Sequence, residues 1–219
     1  MSYLTNMDKL GKLLLALVEG SGVTLTIFVV TLLLSVPLGF FSSLGSLSKN
    51  KVVRGLINVY VLVFRGTPLM LQILFIYFGI NMLGLGLDRH LAAILSITIN
   101  YAAYFSEIFR GGIQSMPLGQ FEAADVLGLT HSQTMRRIIL PQMFKNVFPS
   151  VGNEVINLIK DTALTYTIGV SELLRVGNNA MMGSGSIIPL LIAGLFYLAM
   201  NAVVSRGLHW GEKRLSYYR

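Results

Sequence analysis

The strongest constraint on this chain is the length of its uncharged stretches. No Asp, Glu, Lys or Arg occurs from Gly20 to Ser48, from Gly66 to Leu87, or from Val176 to Ser205. A helix needs about 20 mostly apolar residues to cross a hydrocarbon core about 30 Å thick, and each stretch is long enough. Buried helices of soluble proteins rarely run so far without charge. Charged residues make up only 12% of the chain, roughly half of the ~25% that solvates an ordinary globular surface. With 53% hydrophobic residues and a mean hydropathy of +0.67, the chain reads as an all-α integral membrane protein.

The net charge of +7 does not point to nucleic acid. The basic residues lie in short clusters between apolar blocks instead of along one polar face. There is no cysteine, so neither a disulfide framework nor a thiolate metal site is available. His90, His131 and His209 are scattered and suggest no metal site. No cofactor is expected in this chain.

Residues 1–19 read as an amphipathic segment lying on the membrane surface. Tyr3, Met7, Leu10, Leu14 and Leu17 recur at three- and four-residue spacing, with Asp8, Lys9 and Lys12 between them. A signal peptide is the rival reading, but the apolar core Leu13–Val18 is short and no small-residue cleavage site follows. Residues 20–215 read as a transmembrane domain of about five spans: 22–44 with a kink at Pro37, 56–83 interrupted at Arg65-Gly66-Thr67-Pro68, 90–109, 147–170 and 187–208. A polar connection from Arg110 to Asn146 separates the third and fourth spans. A Gly/Asn/Ser-rich stretch, Gly177 to Ser186, leads into the fifth.

Lys/Arg placement sets the expected orientation. One side holds Lys49, Lys51, Arg54, Arg110, Arg136, Arg137, Lys145, Arg206, Lys213, Arg214 and Arg219; the other holds Lys9, Lys12, Arg89 and Arg175. The rich side is expected to be cytoplasmic, with the N-terminus outside and the C-terminus inside.

The polar connection contains the most specific pattern. Glu122-Ala123-Ala124 is followed after three residues by Gly128, and after nine more by Ile138-x-Leu140-Pro141. The small-residue face of Glu122, Ala123 and Ala124 suits close approach to another protein. Gly128 can end that helix, and Thr130 can cap a second one running through Arg136 and Arg137 to a break at Pro141. At each fixed position this stretch, about 114–146, resembles the EAA coupling loop of ABC importer permeases. Three further stretches resemble the histidine/glutamine-type permeases for polar amino acids. They are Phe64-Arg65-Gly66-Thr67-Pro68-Leu69 with Gln72; Ala102-Ala103-Tyr104 with Glu107 and Arg110-Gly111-Gly112-Ile113; and Ile159-Lys160-Asp161-Thr162-Ala163-Leu164, where that family more often has Ser at the Ala163 position.

The resemblance covers about residues 20–215. It implies a five-helix core, two permease subunits (identical or paralogous), two ABC ATPase subunits that hold ATP and Mg, and an external solute-binding protein. It also implies a bacterial cytoplasmic membrane. The chain has no G-x-x-x-x-G-K-[ST] loop, so it lacks a phosphate cradle of its own.

The residues point to a substrate site within the spans. Pro68 disfavours a continuous helix, but Thr67 as N-cap with Pro68 at the first helical position would restart one inside the membrane. Its free N–H groups would then face an anion, as in transporters with broken helices; a packed proline kink is the alternative. Glu154, Asn157 and Asp161 share a helical face, and Asn100 and Tyr104 lie one turn apart. An acidic side chain at the bilayer centre is rarely left facing lipid. Candidate substrate residues are therefore Glu154, Asn157, Thr67, Asn100, Tyr104 and Gln72. Lys160 and Asp161 read as structural charges that neutralise neighbours or each other, and Glu107 with Arg110 as a structural ion pair. Glu154 suggests a basic amino acid, with glutamine- or glutamate-type substrates second. A membrane enzyme would need a catalytic cluster and a channel a repeated filter element; the sequence offers neither.

Overall fold

A computed structural model of the chain describes residues 7–215. The described residues are almost entirely helical: α1 (Met7–Ser46), α2 (Lys51–Gly66), α3 (Leu69–Met82), α4 (Arg89–Gln114), α5 (Leu118–Val126), α6 (His131–Thr134), α7 (Leu140–Asp161), α8 (Leu173–Ser184) and α9 (Ile188–Leu215). A π-helical turn, Met135–Ile139, joins α6 to α7, and a 3₁₀ segment, Thr162–Ile168, extends α7. Three helices, α1, α4 and α9, are each long and apolar enough to cross a membrane. The pair α2 and α3, bent by 107° at its break, passes the same test together. Helix α7 holds Lys145, Glu154, Lys160 and Asp161 and is kept at the centre by its other face, where Val155, Leu158 and Ile159 join the core.

Several boundaries differ from those read in the sequence. The N-terminal segment is not a separate surface helix; it continues into the first span as the 40-residue α1, because no helix-breaking pair lies between Met7 and Val23. Tyr3 lies outside the described residues. The Gly/Asn/Ser-rich stretch is largely helix α8, which starts because the Glu172 carboxylate accepts from Leu174 N at 2.8 Å and Arg175 N at 2.7 Å. Helices α4 and α9 run past the expected ends of the third and fifth spans. Pro37 lies inside α1 and Pro149 inside α7 without ending either helix.

The core forms around α4. Its buried Ile97, Tyr101, Phe105 and Phe109 meet Ile27 and Phe28 of α1 and Met143 and Leu158 of α7. Phe40, Phe109 and Phe144 form a three-ring cluster with centroids 5.6–5.8 Å apart. Beside Ile27 and Phe28, the buried face of α1 carries small residues, Thr24, Thr31, Ser35, Gly39 and Ser43, which let two spans approach closely. At Gly39 a Cβ would sit 2.5 Å from Phe105 Cβ and 2.9 Å from Ala102 O. Glycine is therefore required for α1 and α4 to touch. Asp88 caps α4, accepting from His90 N at 2.8 Å and Leu91 N at 3.2 Å, and the Leu91 N–H first among these donors holds its carboxyl below the ordinary carboxylate range.

Candidate functional site

The site begins at the break between α2 and α3. Proline restricts the residue before it to extended conformations, and Thr67 lies at φ −120°, ψ 149°. The exposed carbonyls at the end of α2 are then claimed by side chains. Gln72 Nε2 donates to Phe64 O at 3.0 Å, Thr67 O at 3.1 Å and Thr67 Oγ1 at 2.8 Å. Asn100 Nδ2 donates to Phe64 O at 2.9 Å and to Gln72 Oε1 at 3.0 Å. One buried amide thus sews the break closed, and α4 holds that amide in place.

The restart of the helix inside the span matches the sequence expectation, but the roles at the break shift by one residue. Pro68 is the N-cap of α3 and offers no side-chain cap. Thr67 ends α2, its hydroxyl donating back to Val63 O at 2.8 Å. The first internal bond of α3 runs from Gln72 N to Pro68 O at 3.2 Å. The N–H groups of Leu69, Met70 and Leu71 therefore have no carbonyl within their own helix.

A cavity of about 500 Å³ opens beside this break. Thr67, Pro68 and Leu69 form one wall, Asn100, Tyr101 and Tyr104 of α4 a second, and Glu154, Asn157, Lys160 and Asp161 of α7 a third. Five of the six candidate substrate residues line it. The sixth, Gln72, is buried behind the wall and orders Thr67 and Asn100. Tyr101 was not singled out in the sequence, although its spacing from Tyr104 placed it on the same face. Lys160 and Asp161 also line the cavity. Tyr101 Oη donates to Asp161 Oδ2 at 2.6 Å, and Lys160 forms no ion pair within 4.0 Å among the described residues. Glu154 has neither a hydrogen bond nor an ion pair among the described residues. It is a carboxylate on the cavity wall whose charged neighbours are Asp161 and Arg65.

Arg65 lies beside Tyr104, outside the lining of this cavity. Its guanidinium carbon lies 5.5 Å from the centroid of the Tyr104 ring, and Nη1 is 3.9 Å from Glu107 Oε2. Glu107 is engaged mainly by Arg110, whose Nε donates to Oε2 at 3.1 Å while Nη2 donates to Oε1. The structural pair expected of Glu107 and Arg110 is present.

The connection between α4 and α7 forms a second surface. Helix α5 holds Glu122, Ala123 and Ala124, and it ends in a Schellman motif. Gly128, at φ +69°, donates its N–H to Asp125 O at 2.9 Å, and Leu129 N donates to Ala124 O at 3.0 Å. The positive φ is what glycine supplies. Thr130 then caps α6 in a reciprocal box: its N–H donates to Gln133 Oε1 at 2.8 Å and its hydroxyl accepts from Gln133 N at 3.4 Å. Ala124 is fully buried, whereas Glu122, Ala123 and Gly128 are exposed, as are Leu118, Val126 and Leu127. The expected break at Pro141 is absent. The π turn absorbs the missing proline donor, with Leu140 N bonding Met135 O, so Ile138, Leu140 and Pro141 lie on one continuous helical path into α7.

Comparison with known proteins gives a consistent result. Residues 35–217 match the family described as binding-protein-dependent transport system inner membrane component. The chain is 38% identical over 191 residues to the arginine transport system permease protein ArtQ of Bacillus subtilis, covering 86% of this chain and 87% of that one. It is 34% identical over 204 residues to the putative glutamine transport system permease protein GlnP of Rickettsia bellii, covering 92% and 94%. It is 34% identical over 218 residues to the L-cystine transport system permease protein TcyL of Bacillus subtilis, covering 96% and 91%. Among solved structures, a crystal structure of an amino acid ABC transporter with histidines superimposes with a TM-score of 0.88 at 33% identity, covering 98% of this chain and 99% of the other.

Proposed function

We propose that this chain, which belongs to the family of binding-protein-dependent transport system inner membrane components, moves basic L-amino acids, arginine first among them. It is a permease subunit of an amino-acid ABC importer. The observation that carries the substrate class is Glu154, a carboxylate on a cavity wall with no hydrogen bond or ion pair within 4.0 Å among the described residues. A charge inside a span is costly when unpaired, and a guanidinium or ammonium brought in by the substrate offsets that cost. Asp161 adds negative charge to the same wall, and the free N–H groups at the start of α3 offer a place for the α-carboxylate. The arginine permease among the relatives supports this choice; glutamine is the second reading, supported by the putative glutamine permeases.

The remaining parts of the transporter follow from family membership. ATPase subunits would supply ATP and Mg chemistry, docking on α5 through Glu122, Ala123, Ala124 and Gly128, with Ile138, Leu140 and Pro141 fixing the helix behind it. A second permease, identical or paralogous, and an external solute-binding protein would complete the assembly. The chain would lie in the bacterial cytoplasmic membrane with its N-terminus outside and its C-terminus in the cytoplasm. The test is ATP-driven uptake by the reconstituted complex, offered arginine, lysine, histidine, glutamine, glutamate and cystine in turn. Saturable uptake of the basic group at the lowest concentration is expected. Preference for glutamine or glutamate would refute the basic assignment.

A further inference from the structure

We propose that a second cavity, on the inner side of the first, is a site for the α-carboxylate of the departing amino acid. The proposal rests on the permease reading and adds a station to it. This cavity, about 440 Å³, is lined by Arg54 and Arg65 of α2 and by Glu107 and Arg110 of α4, with Asn58 and Gln114 beside them. Three guanidiniums thus face one carboxylate. That carboxylate is held in a bidentate grip by Arg110, whose Nη1 also donates to Gln114 Oε1 at 2.5 Å. Arg65 reaches Glu107 only at 3.9 Å, and Arg54 has no carboxylate within 4.0 Å among the described residues. Arg54 is left without a carboxylate and Arg65 is held only by its long contact with Glu107 and by the Tyr104 ring, around an open space. A guanidinium presents paired donors that match a carboxylate in plane.

The contrast with the neighbouring cavity gives the second line of argument. The first cavity sets Glu154 and Asp161 against Lys160, whereas the second sets three arginines against Glu107. The partition between them is the stacked pair of Tyr104, which lines the first, and Arg65, which lines the second. Tyr104 and Glu107 are one turn of α4 apart, about 4.5 Å along the axis. A zwitterion moving inward therefore leaves a region that favours its cationic end and meets one that favours its anionic end. Displacing Arg65 from the Tyr104 ring joins the two spaces. The second cavity lies at the ends of α2 and α4 that the Lys/Arg distribution assigns to the cytoplasm.

The experiment uses the permease–ATPase complex in liposomes with the solute-binding protein outside and ATP sealed inside, so that the lumen stands for the cytoplasm. Uptake of labelled L-arginine is measured while the lumen is loaded with L-arginine or with agmatine, the same molecule without its carboxylate. Luminal arginine is expected to inhibit at a concentration at least ten-fold lower than agmatine. Arg54→Gln should raise the inhibitory concentration of arginine about ten-fold, collapsing the difference between the two compounds, and Arg54→Lys should recover part of it. Equal inhibition by both compounds in the unmodified protein, or an unchanged arginine-to-agmatine ratio in Arg54→Gln, overturns the proposal. If Arg54→Gln does not assemble, Arg65→Gln is subjected to the same comparison. An importer that takes up glutamine and not arginine refutes the basic-substrate reading alone. The comparison is then made with glutamine and its decarboxylated amine, so the two failures remain distinct.

Discussion

Replacing Glu154 by glutamine removes a charge and almost nothing else. The side chain lines a cavity of about 500 Å³ and has no hydrogen bond or ion pair among the described residues, so the substitution breaks no internal contact. What it removes is a partner for an incoming cation. Hydrogen bonds to charged groups contribute about 1.5–3 kcal/mol, and a half-exposed carboxylate facing a wet cavity sits at the lower end because water screens it. The expected loss is therefore about 1.5 kcal/mol, or roughly ten-fold in affinity. It should be larger for arginine and lysine than for glutamine if Glu154 meets the side chain, and uniform if it meets the α-ammonium. Equilibrium binding of each amino acid to the purified complex gives the affinities, and thermal unfolding of the same preparation gives the control. The melting temperature should not fall, since no hydrogen bond or short ion pair is lost and the charge beside Asp161 is removed. Unchanged arginine affinity in a stably assembled Glu154→Gln complex would refute the reasoning, as would a lower melting temperature with unaltered selectivity.

Gln72→Ala should behave in the opposite way. It deprives Thr67 O and Oγ1 of a donor and Asn100 Nδ2 of one of its two acceptors, while Phe64 O keeps its bond from Asn100, and leaving buried polar groups short of partners costs about 1–3 kcal/mol. The melting temperature should drop, and affinity should weaken alike for every amino acid, both readable in the same two assays. Gly128→Val places a β-branched residue at φ +69° and should abolish ATP-driven uptake while equilibrium substrate binding survives; normal uptake by this variant would remove α5 from coupling. For topology, Leu85→Cys, in an exposed stretch between α3 and α4, should react with an impermeant thiol reagent added from outside, and Ser132→Cys should not. The chain has no native cysteine, so reversed labelling would overturn the charge-based orientation directly.

Much of this protein was legible residue by residue. Uncharged stretches announce membrane helices because the cost of burying charge in lipid is local and large. Proline at position 68 announces a broken span because its ring and missing donor act within one turn. Capping signals at Thr130 and Gly128 were readable for the same reason, since a cap is a contact between residues three or four apart. Helix α8 was missed because its Gly and Asn content argues against a helix in isolation. Its formation depends on Glu172, held from across the fold by Tyr197 Oη, which donates to Glu172 Oε2 at 2.7 Å, and on Leu173, whose N–H donates to Thr24 Oγ1 at 3.2 Å.

The polar residues of the candidate site could be picked from the sequence because each is anomalous where it stands, as Glu154 is within a span. The sequence could also pair residues on one helix, placing Glu154, Asn157 and Asp161 on one face and Asn100 and Tyr104 on another, because helical periodicity is a local rule. Only the tertiary structure decided that these faces and the break at Thr67–Pro68 open on the same cavity. It also put Gln72 behind the wall, and Arg65 between an acidic space and a basic one. Those outcomes depend on how closely α4 can approach its neighbours, which is set by contacts such as Gly39 against Phe105. Packing distances between segments far apart in the chain are a property of the folded assembly of helices, and no single stretch of sequence encodes them.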